Sequence, residues 1–343
     1  MIELVLQFLG LAAIVAAAGT ALALSADRIA EITRLGRLLV GSLLLAGATS
    51  LPELSVDISA IRKGLPDLAV GDLLGSSLMN LLILAVLDLA VRSRGGMLSR
   101  QAASHALSGT LSIGLTAIVG LAVLTADRLP SVTLLNVGGW SMAVVIAYAL
   151  GARMIFINQR IAARAAADAA EAAAGAAAAP QTSPHSWAGL WKPASVFLLA
   201  TVVLILAGPW LAETAGELAD ASGLGRTFVG TTLVAIATSL PELVASITAI
   251  RVGAFDLVVG NVFGSNAFNM VLFAPLDAMH DGPLFAVVNP AHAASAFAVI
   301  LATVIAVLGQ LYSLESRRRV VEPDAVLMIL VLAGGFFLVF RLS

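Results

Sequence analysis

Long apolar blocks, separated by short polar or charged segments, run through the whole chain. An α-helix needs about 20 residues to cross the roughly 30 Å hydrocarbon layer of a bilayer, and most of the blocks reach that length. The pattern therefore predicts about ten transmembrane helices. Their predicted bounds are 3–24, 29–61, 66–91, 104–125, 132–157, 194–213, 225–250, 255–279, 291–312 and 324–341.

One segment of this pattern occurs twice. Residues 41–90 align with residues 230–279 without a gap, and 25 of the 50 positions are identical. Each copy contains ATSLPEL and continues into a glycine-rich block, GDLLGSSLMN in the first copy and GNVFGSNAFN in the second. Each copy lies in a half of five predicted helices. Because five is odd, the second half must cross the membrane in the opposite direction, as in the inverted repeats of many secondary transporters.

The duplication predicts the fold class and the organisation of the chain. We expect an all-α membrane protein of about ten transmembrane helices in two inverted five-helix repeats. The halves are predicted at 1–157 and 193–343, and an alanine-rich linker at 158–192 separates them. This linker is too short for a folded regulatory domain, so a partly helical connection is predicted.

Composition supports the membrane class and excludes several functions. Hydrophobic residues make up 59% of the chain, charged residues 12%, and the mean hydropathy is +0.99. The net charge of −2 gives no reason to expect a nucleic-acid partner. The absence of cysteine excludes disulfides and thiol chemistry. The four histidines have no metal-ligand spacing, so they are interpreted as loop or interface residues.

The positive charges predict an orientation. With the N-terminus outside, 14 of the 19 lysine and arginine residues lie on the inner side of the membrane. Cytoplasmic loops are normally the ones enriched in these residues. We therefore expect both termini outside, the linker in the cytoplasm, and a location in the plasma or bacterial inner membrane.

Two glutamates carry the most informative chemistry. Glu53 and Glu242 occupy equivalent positions of the repeat, in long apolar stretches where a carboxylate is costly. The proline that precedes each of them removes a backbone donor and predicts a broken helix. Carbonyl oxygens freed by such a break must be buried in protein or bound by a ligand. These carbonyls belong to the segments 48–49 and 237–238.

Neutral oxygen groups accompany the two carboxylates. A hydroxyl precedes each glutamate by three residues, and a serine and an asparagine four residues apart share one face of the following helix. These residues are Ser50, Ser76 and Asn80 in the first repeat, and Ser239, Ser265 and Asn269 in the second. Such a set suits a hard cation such as calcium or sodium. Singly, these serines and asparagines would more often join helices by hydrogen bonds, but two buried glutamates without a basic neighbour need cations or protons.

Small residues predict close helix packing in the same region. Gly71 and Gly75 lie four residues apart in the first repeat, and Gly260 and Gly264 do so in the second. Glycines with this spacing allow the backbones of neighbouring membrane helices to approach closely. We therefore expect the two glycine-rich helices to pack tightly against their neighbours.

The paired motifs resemble the α repeats of the cation/calcium antiporter superfamily, and most closely those of sodium/calcium exchangers. The resemblance implies exchange by alternating access, with helices 1 and 6 sliding over a compact core. It implies that Glu53 and Glu242 are the essential glutamates. By the same resemblance, the hydroxyl ligands are Ser50, Ser76, Ser239 and Ser265, and the backbone carbonyl ligands lie around Ala46, Thr49, Ala235 and Thr238.

The chain departs from the family pattern at several positions. Sodium/calcium exchangers often have an aspartate at one of the two places held here by Asn80 and Asn269, so the central site has one formal charge fewer. Instead, Asp57 follows Glu53 by one turn, and Asp72 precedes Ser76 by one turn. Both aspartates are candidates for an ion path or for proton binding. The alternative is that they are hydrated carboxylates of a vestibule or interface.

We therefore predict a secondary active antiporter that exports calcium in exchange for sodium or protons, with the ions bound at the membrane midplane between the repeats. No cofactor is expected, and the expected partners are inorganic cations and the lipid bilayer. The oligomeric state stays open. The alternatives are a proton-coupled or magnesium-selective exchanger and, from another class, a cation channel. An enzyme is not predicted, because the sequence contains no nucleophile and base pair.

Overall fold

A computed structural model describes residues 2–91, 102–129, 132–134, 136–174, 189–221, 236–312 and 323–342. Almost all of these residues are helical, apart from a two-stranded antiparallel ribbon. Eight of the described helices are long and apolar enough to span a membrane, and Asp324–Val339 is a shorter apolar helix. The expected all-α membrane fold is confirmed.

The first half consists of long helices around one broken helix. The broken helix comprises α2 (Arg37–Leu39), a π-helical turn (Val40–Leu45), α3 (Ala46–Thr49) and α4 (Leu51–Arg62). The other elements are α1 (Ile2–Thr33), α5 (Pro66–Ala90), α6 (Ala102–Thr125), β1 (Thr133–Leu134), β2 (Val137–Gly138) and α7 (Gly139–Ala174).

The second half repeats this order. Its elements are α8 (Trp191–Ala221), α9 (Leu240–Arg251), α10 (Phe255–Met279), a 3-10 turn (Leu284–Ala286), α11 (His292–Tyr312) and α12 (Pro323–Leu342). Residues 236–238 are also helical and lead into α9. The remainder of the helix predicted at 225–250, before residue 236, lies outside the described residues.

Several helix bounds differ from the predicted ones. The first helix runs to Thr33 and the second begins at Arg37, so the predicted boundary between residues 24 and 29 is wrong. Ser25 and Ala26 are buried within α1, where small residues fit a helix interface as well as a loop. The helix α7 continues to Ala174, well into the predicted linker, because the alanine-rich sequence has a high helix propensity.

Burial distinguishes a central layer of helices from a peripheral one. In α10, 83% of the most apolar 18-residue window is buried inside the protein, against 17% in the membrane-spanning part of α7. The helix α5 and the broken helix are also mostly buried. The glycine-rich helices and the proline-containing helices of the two repeats therefore form the core, and helices such as α7 face the lipid.

The backbones of α10 and the broken helix are in close contact. A methyl group added at Gly264 would lie 2.5 Å from the Ser42 backbone, and one added at Gly260 would lie 2.7 Å from the Leu38 carbonyl oxygen. The predicted close packing is thus confirmed for the second repeat. Gly75 has open space around it among the described residues. Gly264 packs against Ser42, so by symmetry Gly75 would pack against Thr231. Thr231 lies outside the described part of the chain.

The long first helix of each half packs against the helix of the other half that begins at the proline. The helix α8 packs on α4, and α1 packs on both α8 and α9. A methyl group added at Gly208 would lie 2.6 Å from the Pro52 Cβ atom, and one added at Gly19 would lie 3.3 Å from the Pro241 carbonyl oxygen. Gly19 and Gly208 are separated by the same 189 residues that relate the two repeats. The two contacts are therefore symmetry-related, and they differ in tightness.

Two histidines make a second pair of symmetry-related contacts. His105 Nε2 lies 3.0 Å from Asp256 Oδ1, and His292 Nε2 lies 3.0 Å from Asp67 Oδ1. Asp67 and Asp256 occupy equivalent positions in the repeats, at the start of α5 and α10. Each pair joins a helix of one half to a helix of the other. These two histidines are thus interface residues, as the sequence indicated.

Candidate cation site

The site begins at the two breaks that precede the glutamates. Each break falls at a serine with nearly the same backbone angles, φ −88° and ψ 0° at Ser50, and φ −86° and ψ 4° at Ser239. Pro52 and Pro241 then lie in the first turn of the helix that follows, where a missing amide hydrogen is tolerated. The break therefore points the start of a short helix at the centre of the protein in both repeats.

Glu53 and Glu242 lie in the first turns of α4 and α9 and have no exposed surface. Within the described residues, none of their four carboxylate oxygens has a hydrogen-bond donor. The two carboxylates are within electrostatic range of each other. The only basic residues in α4, α5, α9 and α10 are Arg62 and Arg251, which end α4 and α9. Within the part of the chain that the structure describes, these two buried carboxylates therefore have no basic partner.

Thr49 connects the two repeats at this point. Its Oγ1 atom lies 3.4 Å from Ser265 Oγ, which belongs to α10 of the second repeat. Thr49 is also beside the Glu242 carboxylate. Hydroxyl and carboxylate groups from both repeats therefore meet in one buried region.

The predicted backbone ligands have different surroundings. The Ala46 carbonyl oxygen accepts hydrogen bonds from Ser50 N at 3.1 Å and from Thr49 Oγ1 at 3.2 Å. Both of its lone pairs are thus used in this conformation, and an ion could bind it only by displacing a donor. Thr238, which is the equivalent of Thr49 in the second repeat, is also buried. Ala235 lies outside the described residues.

The predicted serine ligands are all buried. Ser265 contacts Thr49, as described above, and the remaining hydroxyls have no hydrogen-bond partner in the part of the chain that the structure describes. These are Ser50, Ser76 and Ser239. Buried hydroxyls without protein partners are uncommon, and such groups are available to bind an ion or a water molecule. They lie on the same helices as the two glutamates or on the helices packed against them.

The two predicted asparagines differ in their contacts. Asn80 donates from Nδ2 to Asn266 Oδ1 at 3.1 Å, whereas both polar side-chain atoms of the buried Asn269 lack a partner among the described residues. Asn266 in turn donates from Nδ2 to the Ser77 carbonyl oxygen at 3.0 Å. Our sequence reasoning missed Asn266 and Ser77. Both could have been identified from the sequence, because Ser77 and Asn266 are polar, occupy equivalent positions of the repeats and directly follow the predicted serine ligands.

Asp57 and Asp72 lie together one turn from the glutamate and serine positions. Asp57 is fully buried and Asp72 is partly buried. Their carboxyl groups are next to each other, and both are within electrostatic range of Glu53. The equivalent residues of the second repeat are Ser246 and Asn261, which are buried and neutral. The polar surroundings of the two glutamates are therefore unequal.

Oxygen atoms dominate this region. Two carboxylates supply negative charge, and hydroxyl, amide and carbonyl oxygens supply neutral donors to a cation. Hard cations with oxygen ligands fit this donor set, whereas a soft metal would need sulfur or imidazole nitrogen. The arrangement suits reversible binding of a calcium, sodium or similar ion at membrane depth.

Inverted helical repeats with buried polar and acidic groups between them are typical of a class of membrane proteins, the secondary transporters. A family model described as sodium/calcium exchanger protein matches residues 3–161 and 192–342. The chain belongs to this family of cation antiporters, as the resemblance of the repeats indicated.

Individual relatives support this assignment. The chain is 25% identical to the putative antiporter CaxA of Alkalimonas amylolytica, over 92% of each chain. It is 28% identical to the inner membrane protein YrbG of Escherichia coli, over 71% of this chain and 69% of that one. A 91-residue segment is 35% identical to the sodium/calcium exchanger MaX1 of Methanosarcina acetivorans, over 26% of each chain.

Solved structures agree with the fold. The chain superposes on the sodium-calcium exchanger NCX_Mj, soaked with sodium and without calcium, with a TM-score of 0.67. The superposition covers 98% of this chain and 99% of that chain at 18% sequence identity. At this identity the similarity establishes the fold alone.

Proposed function

We propose that this protein is a secondary active antiporter that exports calcium in exchange for sodium or protons. The observation that carries the proposal is the pair of fully buried glutamates, Glu53 and Glu242, one from each repeat. Their carboxylate oxygens have no hydrogen-bond partner in the described residues, and the only basic residues of α4, α5, α9 and α10 are Arg62 and Arg251, at the far ends of α4 and α9. A cation or protons must therefore neutralise them.

The proposed ion site lies at the membrane midplane between the repeats. Glu53 and Glu242 provide the charge. The neutral ligands are drawn from Ser50, Ser76, Asn80, Ser239, Ser265 and Asn269, and from the backbone around Ala46, Thr49, Ala235 and Thr238. Thr49 supports this assignment, because its hydroxyl is close to Ser265 and its side chain is beside Glu242.

Electrostatics provides the coupling. The two glutamates can be neutralised by one divalent ion, by two sodium ions or by two protons. A site that carries uncompensated charge crosses the low-dielectric core at a high cost, so the conformational change occurs when the site is loaded. Such a carrier exchanges ions and does not allow a free leak.

Flux through liposomes that contain the purified protein would test the proposal. Calcium is loaded inside, and a sodium gradient, a potassium gradient or a pH step is imposed outside. We expect saturable calcium movement that requires sodium or protons on the opposite side. Calcium movement without any counter-ion would indicate a channel, and movement of magnesium in preference to calcium would support the magnesium-selective alternative.

Charge balance makes the proposal more specific. With asparagine at positions 80 and 269, Glu53 and Glu242 are the carboxylates at the centre, so one divalent ion should exchange for two monovalent ions. Transport should then be electroneutral. Each net charge moved through the membrane field corresponds to about 2.3 kcal/mol per 100 mV. Calcium exchange under an imposed potassium and valinomycin potential should therefore proceed at an unchanged rate, and a strong dependence on voltage would refute the two-for-one stoichiometry.

The proposed location is the plasma membrane, or the inner membrane of a bacterium, with both termini outside and the linker in the cytoplasm. The distribution of lysine and arginine supports this orientation. The relative YrbG is named as an inner membrane protein.

A further inference from the structure

Asp57 and Asp72 form a buried pair that the proposed exchange at the central site does not use. Asp57 lies on α4, one turn after Glu53, and Asp72 lies on α5, one turn before Ser76. The side chain of Asp57 has no exposed surface and points towards the carboxyl group of Asp72. Neither residue forms a salt bridge within the described part of the chain.

Among the described residues, three of the four carboxyl oxygens of this pair have no hydrogen-bond donor. These are both Asp57 oxygens and Asp72 Oδ2, and all three are buried. An ionised carboxylate is only an acceptor, so two ionised carboxylates cannot bond to each other. When one of them is protonated, it donates to the other, and two adjacent carboxyl groups normally share one proton in this way.

The groups around the pair do not replace that proton. Glu53 is within electrostatic range and adds negative charge. Arg62, at the end of α4, is exposed and forms no salt bridge in the described part of the chain, and Glu242 of α9 adds further negative charge beside Glu53. On the other packed helices, Glu213 and Glu217 of α8 are exposed, and His292 of α11 contacts Asp67. The helix α5 contains no lysine, arginine or histidine.

The second repeat offers an internal comparison. Its equivalent residues, Ser246 and Asn261, also are buried, but each can donate a hydrogen bond and carries no charge. Because the repeats are inverted, the two pairs lie towards opposite faces of the membrane. The acidic pair therefore belongs to one access path only.

We propose that Asp57 and Asp72 form a proton-binding site, which holds one proton between two carboxyl groups on the path from one membrane face to Glu53. The site is separate from the central calcium site, and its transport role rests on the proposed function. Loss of the proton leaves an additional negative charge close to Glu53. Calcium binding from that face is then stronger at high pH than at low pH.

Infrared difference spectroscopy of the metal-free protein in detergent would test the site without transport. A protonated carboxyl group has a carbonyl stretch that shifts on transfer to heavy water. We expect Asp57→Asn and Asp72→Asn each to remove the intensity of one carboxyl group from this band. The matched control is Ser246→Ala, which should leave the band intact. An unchanged band in both aspartate variants would overturn the proposal.

Calcium binding provides a second readout. If calcium binding releases one proton from the pair, the affinity for calcium rises by up to about tenfold per pH unit through this linkage alone. We expect this part of the pH dependence to disappear in Asp57→Asn and in Asp72→Asn. The same pH dependence in wild type and in both variants would contradict the site. If Asp57→Asn does not fold, Asp72→Asn alone decides, since Asp72 is only partly buried.

The two proposals can fail separately. A protein whose carboxyl band loses intensity in the two aspartate variants, but which exchanges no calcium, would refute the antiporter function and retain the proton site. A protein that exchanges calcium normally, with a band unaffected by either aspartate variant, would refute the proton site and retain the antiporter.

Discussion

The two halves of the molecule place the same glutamate in different surroundings. Glu53 and Glu242 are equally buried, and the serine that precedes each of them has nearly the same backbone angles. Glu53, however, has two further carboxyl groups within electrostatic range, Asp57 one turn later on α4 and Asp72 on α5, whereas their counterparts in the second repeat are neutral. The two repeats thus share the glutamates at the central site and differ at the positions of Asp57 and Asp72. The centre must serve ions that arrive from both faces, but each path serves only one face.

The largest expected effect is loss of exchange when either central carboxylate is neutralised. Glu53→Gln and Glu242→Gln keep the side-chain volume but remove one of the two charges that hold a divalent ion. Removing one partner of a buried charge pair costs about 3 kcal/mol or more, which corresponds to more than ~100-fold in calcium affinity. Calcium flux in liposomes at matched protein levels measures this. Normal flux in either variant would show that this glutamate does not bind the ion and that the two halves do not contribute equally to the site.

The inversion of the halves predicts an all-or-none difference in labelling. Lys63 and Val252 occupy equivalent positions after α4 and α9, and both are exposed. In this cysteine-free chain, Lys63→Cys should react with a membrane-impermeant reagent added to intact cells. Val252→Cys should react only after the membrane is permeabilised, because the distribution of positive charges predicts that this loop is inside. Reaction of both variants from the same side would contradict the inverted topology.

A smaller difference is expected at the contacts between the long helices and the prolines. Gly208→Ala would place a methyl group 2.6 Å from the Pro52 Cβ atom, and the equivalent distance for Gly19→Ala is 3.3 Å, to the Pro241 carbonyl oxygen. Overpacking a tight contact costs about 1–3 kcal/mol. We therefore expect Gly208→Ala to lower the free energy of unfolding by about 1–3 kcal/mol and Gly19→Ala to lower it much less, as measured by unfolding of the purified variants. Equal losses of stability in the two variants would show that the difference in distance between these contacts has no energetic consequence.

The smallest effects are expected at the equivalent hydroxyls. Ser50→Ala and Ser239→Ala each remove one neutral oxygen, a loss of about 1 kcal/mol, or ~5-fold in calcium affinity. Because both serines sit at the break before a glutamate, the two losses should be similar. Titration of calcium against the purified variants measures them, with Ser195→Ala as a control on a remote exposed hydroxyl. A loss confined to one variant would mean that the ion lies closer to one repeat.

Much of the architecture could be predicted from the sequence, because it depends on local patterns. The lengths of the apolar blocks predicted the membrane helices, and the prolines before Glu53 and Glu242 predicted the breaks. The duplication itself predicted the inverted repeats. The end of α1 was predicted too early, because the helix continues through Ser25 and Ala26, which are buried, and through the charged residues up to Thr33.

The contacts between repeats could not be predicted in the same way. The hydrogen bond from Asn80 to Asn266 joins residues 186 positions apart, and neither helical periodicity nor motif spacing encodes which face meets which. The two bonds between histidine and aspartate across the repeats were missed for the same reason. The symmetry-related contact of Gly75 falls on residues outside the described part of the chain, so the packing predicted for Gly71 and Gly75 stays a prediction.

The hydrogen bond from Asn266 to Ser77 has a geometric consequence. These residues are equivalent positions of the two repeats, and two equivalent points can touch only where they lie close to the axis that relates them. The pseudo-twofold axis therefore passes through this crossing of α5 and α10. If the halves exchange their conformations during a transport cycle, a point on the axis is the one place whose surroundings are the same before and after. Spin labels or fluorophores elsewhere in the protein can then be measured against this crossing as a fixed origin, and their displacements give the motion of each half separately.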